Sequence, residues 1–372
     1  MRGQCRGAGR PLLFRDLGQE GKASGEAGKG EIMTPREIVC DTLEFKNTDH
    51  RTARELWTLP WAWDHYGEEI RALLAEYPSD FAGVGTALAR PPVCERGDSC
   101  ALGEYTDAWG CKFVNIQQGI IGEVKEPLVL EDDWSDVDKV HIPEEWLSFE
   151  VEQVNRDIAK VRDHFVVMGC PRPFEQLQFI RGTENLFMDL MDRPKKMMAF
   201  MERMHDFYCR YLTKLAETDC DALSFMDDWG SQRALLINPS LWREIFRPMY
   251  RDFIDIARRR GKKTFMHSDG YTLEIIPDLI DIGLDAFNTQ IFCMGPENLR
   301  QFRGKITFWG EIDRQNLLPY GSREDIRQAV RRAFENLYAD GGCIAQCEFG
   351  PGGKPENVRT VFEEWENLTA RG

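Results

Sequence analysis

Residues 263–269, Lys263-Thr264-Phe265-Met266-His267-Ser268-Asp269, form a short apolar run that ends in an imidazole and, two positions on, a carboxylate. The same form recurs in Asp221-Ala222-Leu223-Ser224-Phe225-Met226-Asp227-Asp228, Asp285-Ala286-Phe287-Asn288-Thr289-Gln290, Ile306-Thr307-Phe308-Trp309-Gly310-Glu311 and Cys343-Ile344-Ala345-Gln346-Cys347-Glu348. Amphipathic stretches at helical spacing separate the runs. Strands buried on both faces read as continuous apolar runs, and strands alternating with helices imply a parallel sheet with ligand sites at the strands' carboxyl ends. The polar residues closing each run stand where such a fold keeps its chemistry.

Working back toward the N-terminus, Thr34 is a helix N-cap with Pro35 at the first position and Glu37 three residues after the cap, which predicts a helix over 34–45. Strands are expected at 53–58 and 81–85, and an irregular polar insertion near residues 91–138 carries a hairpin around 111–116. A helix over 143–162 and a strand over 164–170 follow. A helical region over 184–217 is broken near Pro194, because proline is tolerated only near a helix start. The regular alternation then begins, with helices expected at 239–260, 273–282, near Glu297, 323–339 and 355–370. Counting from Ala53 gives eight strands, and the fold class expected is an α/β (β/α)8 TIM barrel whose active site lies at its C-terminal face. An open doubly wound sheet is the weaker alternative: Gly350-Pro351-Gly352-Gly353 has neither the spacing of a dinucleotide turn nor a phosphate-loop lysine.

At 372 residues and 42% hydrophobic content the chain can bury one large core. A net charge of −15 argues against nucleic-acid or anionic-membrane partners, which call for a basic face, and favours a small or neutral ligand or another protein. Eleven cysteines without a CxxC pair or regular spacing fit a reducing cytoplasm rather than a disulfide framework. No apolar stretch approaches the roughly 20 residues of a membrane helix. Residues 1–32, rich in Gly and Arg, read as a disordered extension ahead of a single domain over 33–372. Their apolar Pro11-Leu12-Leu13-Phe14 is too short for the core of a signal peptide.

Among the strand ends, His267 is the one histidine of six so placed. With Asp269 it can serve as metal ligand or as base and orienter, or it can simply close a turn. Asp227 and Asp228 are expected to be catalytic or to position substrate, since adjacent carboxylates at a strand end need solvent, hydrogen bonds or a cation. Glu311 is expected as an acid or a metal ligand, and Asp313 as a cap. Trp229, Gln290 and Asp269 are expected against the substrate, with loop hydrogen bonding the bland alternative for Gln290 and Asn288. Cys347 opposite a histidine is a soft donor for zinc, although a buried cysteine is more often a small hydrophobe.

From Met33 onward the chain resembles the uroporphyrinogen decarboxylase superfamily, which holds both the haem-pathway decarboxylase and methyltransferases that act on methylated corrinoid proteins. The resemblance is carried by Phe225-Met226-Asp227-Asp228-Trp229-Gly230-Ser231-Gln232, Phe265-Met266-His267-Ser268-Asp269-Gly270, Gly310-Glu311-Ile312-Asp313-Arg314-Gln315-Asn316-Leu317 and Pro355-Glu356-Asn357-Val358. Decarboxylase members carry an arginine-rich segment after the first strand, where this chain has Trp57-Thr58-Leu59-Pro60-Trp61-Ala62-Trp63, and an aspartate after the second strand, for which only Asp80 offers itself. The methyltransferase members bind zinc through a His-x-Cys pair matching His267 and Asp269 and a cysteine matching Cys347. The resemblance therefore implies a Zn2+ site of His267, Asp269 and Cys347, with aspartate in place of the middle cysteine making a harder Lewis acid suited to an oxygen substrate. It further implies a methyltransferase or demethylase component working with a corrinoid protein, and a homodimer. A metal-independent decarboxylase on another carboxylated substrate, and a non-catalytic ligand- or corrinoid-binding protein, are the alternatives.

Overall fold

The computed structural model describes residues 33–370, so the extension expected over 1–32 lies outside the described residues. Eight parallel strands form one sheet: β1 (Arg54–Thr58), β2 (Phe81–Ala82), β3 (Phe165–Met168), β4 (Ala222–Met226), β5 (Lys263–Ser268), β6 (Ala286–Thr289), β7 (Thr307–Trp309) and β8 (Cys343–Phe349). They are ordered β1-β8-β7-β6-β5-β4-β3-β2, each ladder parallel, with helices around them. This is the (β/α)8 barrel that the alternation of runs predicts.

The two ends of that order, β1 and β2, meet through one residue. The buried Asp80 donates its backbone N–H to the Arg54 carbonyl (3.0 Å), and its own carbonyl accepts from Phe165 (2.9 Å). Its carboxylate takes the Arg54 N–H (2.8 Å) and both guanidinium nitrogens of Arg51 (2.7 and 2.6 Å). Asp80 thus stands at the start of β2 and closes the barrel wall, far from the role of a ligand-binding aspartate after the strand.

Side chains alternate strictly between the two faces of each strand. Phe81, Phe165, Phe265 and Trp309 meet inside the barrel with Ala222, Ala286, Trp57 and Ile344, so large rings from some strands fill the space that alanines leave on others. The helix Pro35–Leu43 closes the floor with Ile38, Val39 and Leu43. Thr34 caps it as expected, accepting from the Glu37 N–H (3.2 Å). Alternate residues such as Leu223, Phe225, Met266, Phe287 and Phe308 point outward into the larger core under the helices.

Several helices differ from expectation in their limits. A helix at Pro173–Arg181, with Pro173 at its first turn, was not anticipated. The region expected as one helix over 239–260 is two, Pro239–Ile245 and Arg247–Arg259. The helix expected over 143–162 is broken into a 3-10 turn at Glu144–Ser148, an α-helix at Val151–Ile158 and a second 3-10 turn at Ala159–Val161. The insertion holds a small antiparallel sheet of Gly103–Thr106, Lys112–Asn115 and Glu123–Val124. It is tied to the first residues beyond β1 by Trp61 N–H donating to Gly119 (3.2 Å), and so lies beside the barrel's C-terminal end. The ten cysteines among the described residues are free thiols, and no described helix is long and apolar enough to cross a membrane.

Two predictions test this architecture. Removing one partner of a buried ion pair costs on the order of 3–5 kcal/mol, so Asp80→Ala is expected to lower the unfolding free energy by that much, seen as a lower urea midpoint with little change in slope. An unchanged midpoint would show that the seam is held elsewhere. Inside the barrel, burial pushes the Glu55 carboxyl up to about 8, against the pull of the hydrogen bond from Trp309 Nε1 (2.8 Å). A carboxyl whose folded pKa is raised favours the protonated form, so its contribution is fully present below about pH 4.5 and lost as pH rises through 8. Glu55→Gln is therefore expected to flatten the fall in stability across that window, as followed by thermal unfolding at a series of pH values.

Candidate metal centre

The inward-facing positions at the strand ends converge on one mouth. On β5, His267 continues the inward row of Phe265, and Asp269 follows it by two. On β4, Asp228 continues the row of Ala222, while Asp227 belongs to the outward row of Leu223 and Phe225. The turns beyond β4 and β5 approach backbone to backbone at Gly230 and Gly270: a Cβ on either would strike the other's main chain, and Gly270 has φ +80°. Gly230 N–H donates to Asp269 O (3.1 Å), Asp227 N–H to His267 O (3.1 Å) and Asp269 N–H to Asp228 Oδ1 (2.9 Å). Two glycines thereby allow Asp228 and Asp269 to stand together over the imidazole.

His267 Nε2 lies 3.6 Å from Asp228 Oδ1 and 3.7 Å from Asp269 Oδ1, and its Nδ1 lies 2.6 Å from Asn288 Oδ1. Asp228, His267 and Asp269 offer ligand atoms all within 4.8 Å of one another, and they are the one such group among the described residues. Nitrogen and oxygen donors about 2.0–2.2 Å from a shared zinc stand roughly 3.3–3.6 Å apart in a tetrahedron. The observed separations are close to that and too long for direct hydrogen bonds. Asp269 Oδ1 is buried with no hydrogen-bond partner, which is costly for a carboxylate unless a cation meets it. The donor set and the orphaned oxygen both fit a divalent metal ion.

Other acids crowd this group. Glu311 and Glu348 flank Arg314, whose Nη1 lies 3.1 Å from Glu311 Oε2 and 3.4 Å from Glu348 Oε2, and whose Nη2 binds Asp269 Oδ2. Burial raises the Glu311 carboxyl well above its ordinary value, Arg314 opposing, and burial also raises Glu348. Asp228 is raised by burial and then by the neighbouring Asp269 charge. Glu175, on the helix Pro173–Arg181, is raised by burial and by Asp228, and its Oε2 is buried without a partner. Among these groups the guanidiniums of Arg314 and Arg172 supply positive charge, fewer than the carboxylates they face.

Three expected site residues are placed elsewhere. Cys347 is not brought to His267 and Asp269. Along β8, Ile344 packs in the barrel interior while Cys343, Ala345, Cys347 and Phe349 pack under the helices, so the period of two turns Cys347 outward and leaves Glu348 to face the mouth. Burial also drives its thiol well up, away from the thiolate that binds metal. Trp229 is fully buried, stacked on Phe174 at 4.0 Å with Nε1 donating to Tyr250 Oη (2.9 Å), and is packing behind the mouth rather than a substrate wall. Asp227 is fully buried, its oxygens taken by Glu175 N–H (2.7 Å) and Tyr250 Oη (2.6 Å). Burial pushes its carboxyl up to about 7, and it anchors the helix that carries Glu175 instead of facing substrate. Gln290 Oε1 ties loops together, accepting from Gln232 (3.2 Å) and Gly270 N–H (3.2 Å). Asp313 caps its segment through Gln315 and Asn316 N–H, as expected.

Four mouth residues were not singled out from the sequence. Glu348 is legible from its shared parity with Ile344, and Arg314 lies three residues after Glu311. Asn288 was read as a neutral hydrogen bonder, toward a ligand or toward loop backbone, and not as the partner of His267. Glu175 depended on a helix whose signal, Pro173 followed by Phe174, Leu177 and Ile180 at helical spacing, was available.

The family model described as uroporphyrinogen decarboxylase (URO-D) matches residues 103–368. Among solved structures, a methyltransferase from Methanosarcina mazei shares this fold over 91% of this chain and 99% of its own, with TM-score 0.64 at 14% identity. A 3-keto-D-glucoside 4-epimerase from E. coli aligns over 58% of this chain and 84% of its own (TM-score 0.35, 14% identity). A dihydropteroate synthase from Coxiella burnetii aligns over 41% and 58% (TM-score 0.28, 12% identity). Among curated protein sequences none matches.

The ligand set is separable by mutation. Asp228→Asn and His267→Ala are each expected to weaken zinc binding by at least about tenfold, and Cys347→Ala to leave it unchanged, measured by metal titration and elemental analysis. Loss of metal in Cys347→Ala alone would restore the cysteine as a ligand.

Proposed function

The chain belongs to the uroporphyrinogen decarboxylase family, and from the geometry of the mouth we propose that it is a zinc-dependent methyltransferase or demethylase component that works with a corrinoid protein on a small oxygen-bearing substrate. The observation that carries this is the group of Asp228, His267 and Asp269, one imidazole and two carboxylates with an orphaned oxygen between them. When bound, zinc acts there as a Lewis acid that polarises the heteroatom from which a methyl group departs. Asp228, His267 and Asp269 would hold the ion, three protein donors being the number typical of a catalytic zinc site.

The remaining residues shape the reaction by charge and exclusion. Arg314 keeps Asp269 Oδ2 occupied, which leaves Oδ1 for the metal side. Glu311 and Glu348, with pKa values raised by burial, are available to hold a proton near the departing atom. The two oxygen donors make a harder centre than a pair of thiolates, which favours an oxygen over a thiol. The crowd of carboxylates disfavours a polycarboxylated tetrapyrrole, whose own charges would face them.

The test is turnover. Zinc-loaded protein supplied with a methyl ether and cob(I)alamin is expected to release the demethylated alcohol, with the rate lowered by at least about 100-fold in His267→Ala or after chelation. Release of carbon dioxide from small carboxylic acids, unaffected by chelation and without any demethylation, would contradict the proposal.

A further inference from the structure

An imidazole can accept a cation only at the nitrogen that carries no hydrogen, and its tautomer is set by the bond the other nitrogen makes. For His267 that bond is to Asn288. The two are register partners on β5 and β6, and Nδ1 lies 2.6 Å from Asn288 Oδ1. The orientation of the amide is decided on its far side. There Asn288 Nδ2 donates to the backbone carbonyl of Trp309 and stands 3.4 Å from Gln346 Oε1. The Trp309 carbonyl can only accept. Turning the amide over would set Oδ1 against it, two acceptors with no hydrogen between them at a residue that is 0% exposed, which costs on the order of 1–3 kcal/mol. Oδ1 therefore faces His267, and because it too can only accept, Nδ1 must donate.

We infer that Asn288 is a positioning residue that locks His267 in the Nδ1–H tautomer, so that the bare Nε2 is presented to Asp228 Oδ1 and Asp269 Oδ1. The consequence for metal affinity rests on the proposed function above, while the tautomer is a property of the metal-free chain. Without the lock, neutral imidazole divides between tautomers and the ring loses a fixed orientation, and outer-shell partners of this kind are worth roughly 10–100-fold in metal affinity. Asn288 is uncharged, so replacing it leaves the field of the surrounding acids unaltered. Replacing Arg314 would change that field as well as the geometry.

The experiment is long-range proton–nitrogen correlation NMR of the histidine-labelled, metal-free full chain at about pH 8, above the usual imidazole pKa, with His267→Gln assigning the resonance. Wild type is expected to show a protonated Nδ1, with Nε2 bare once Zn2+ is added. Asn288→Ala is expected to lose that signature and to bind Zn2+ or Co2+ roughly 10–100-fold more weakly. Asn288→Ser, uncharged and too short to span from His267 to the Trp309 carbonyl, is expected to shift in the same direction, and it carries the comparison should Asn288→Ala fail to fold. A wild type with a bare Nδ1, or an Asn288→Ala with unchanged Nδ1 signature and affinity, would overturn the inference. The expected tautomer in a wild type that binds neither metal would uphold the role of Asn288 and remove the zinc proposal.

Discussion

Closing eight short strands into a barrel leaves every residue two directions, inward or out toward the helices, and the site depends on that restriction. His267, Asp228 and Asn288 face one another because each continues an inward row begun by Phe265, Ala222 and Ala286. The same restriction excludes Cys347, whose row runs through Cys343 and Ala345 into the outer core. The barrel's interior rings fix the depth of these rows. Trp57 and Trp309 meet edge to face at 4.8 Å, and Trp57 stands 5.7 Å from the His267 ring, so the imidazole rests on a packed aromatic floor.

Above that floor the chemistry is electrostatic. Carboxylates brought this close repel one another and are desolvated, and both effects raise their pKa values. Asp228, Glu175, Glu311 and Glu348 all show that rise. A fold pays for such a cluster only where something offsets it. Arg314 offsets part, gripping Asp269, Glu311 and Glu348 at once. It leaves Asp269 Oδ1 and Glu175 Oε2 unmatched. Those two atoms mark where positive charge is still missing, and one of them adjoins the histidine.

Much of the fold was legible in the sequence. Continuous apolar runs can be told from helices when their ends carry polar residues at a steady spacing, and Thr34, Pro35 and Glu37 announce a cap directly. The helix Pro173–Arg181 was missed because the strand before it and the expected helix after it absorbed the surrounding pattern. For the site, His267, Asp228, Asp269 and Glu311 stood out because they end strands. What was not legible is which neighbours share a face: Asp227 and Asp228 look alike in a string, yet one binds Tyr250 outside the barrel and the other stands 3.6 Å from His267 inside it. Cys347 was chosen by counting along a family pattern, whereas alternation along β8 from the buried Ile344 would have favoured Glu348. The orientation of Asn288 depends on a carbonyl from another strand, which no local pattern reveals.

The most direct measurement is a crystal structure of the protein grown with zinc, with anomalous data collected on both sides of the zinc absorption edge. The account predicts a single strong anomalous peak in contact with His267 Nε2, Asp228 and Asp269, with Asn288 Oδ1 against Nδ1 and Cys347 remote from the metal. A peak bound to Cys347, or an ordered mouth with His267 Nε2 hydrogen-bonded to a carboxylate and no anomalous signal at saturating zinc, would contradict it.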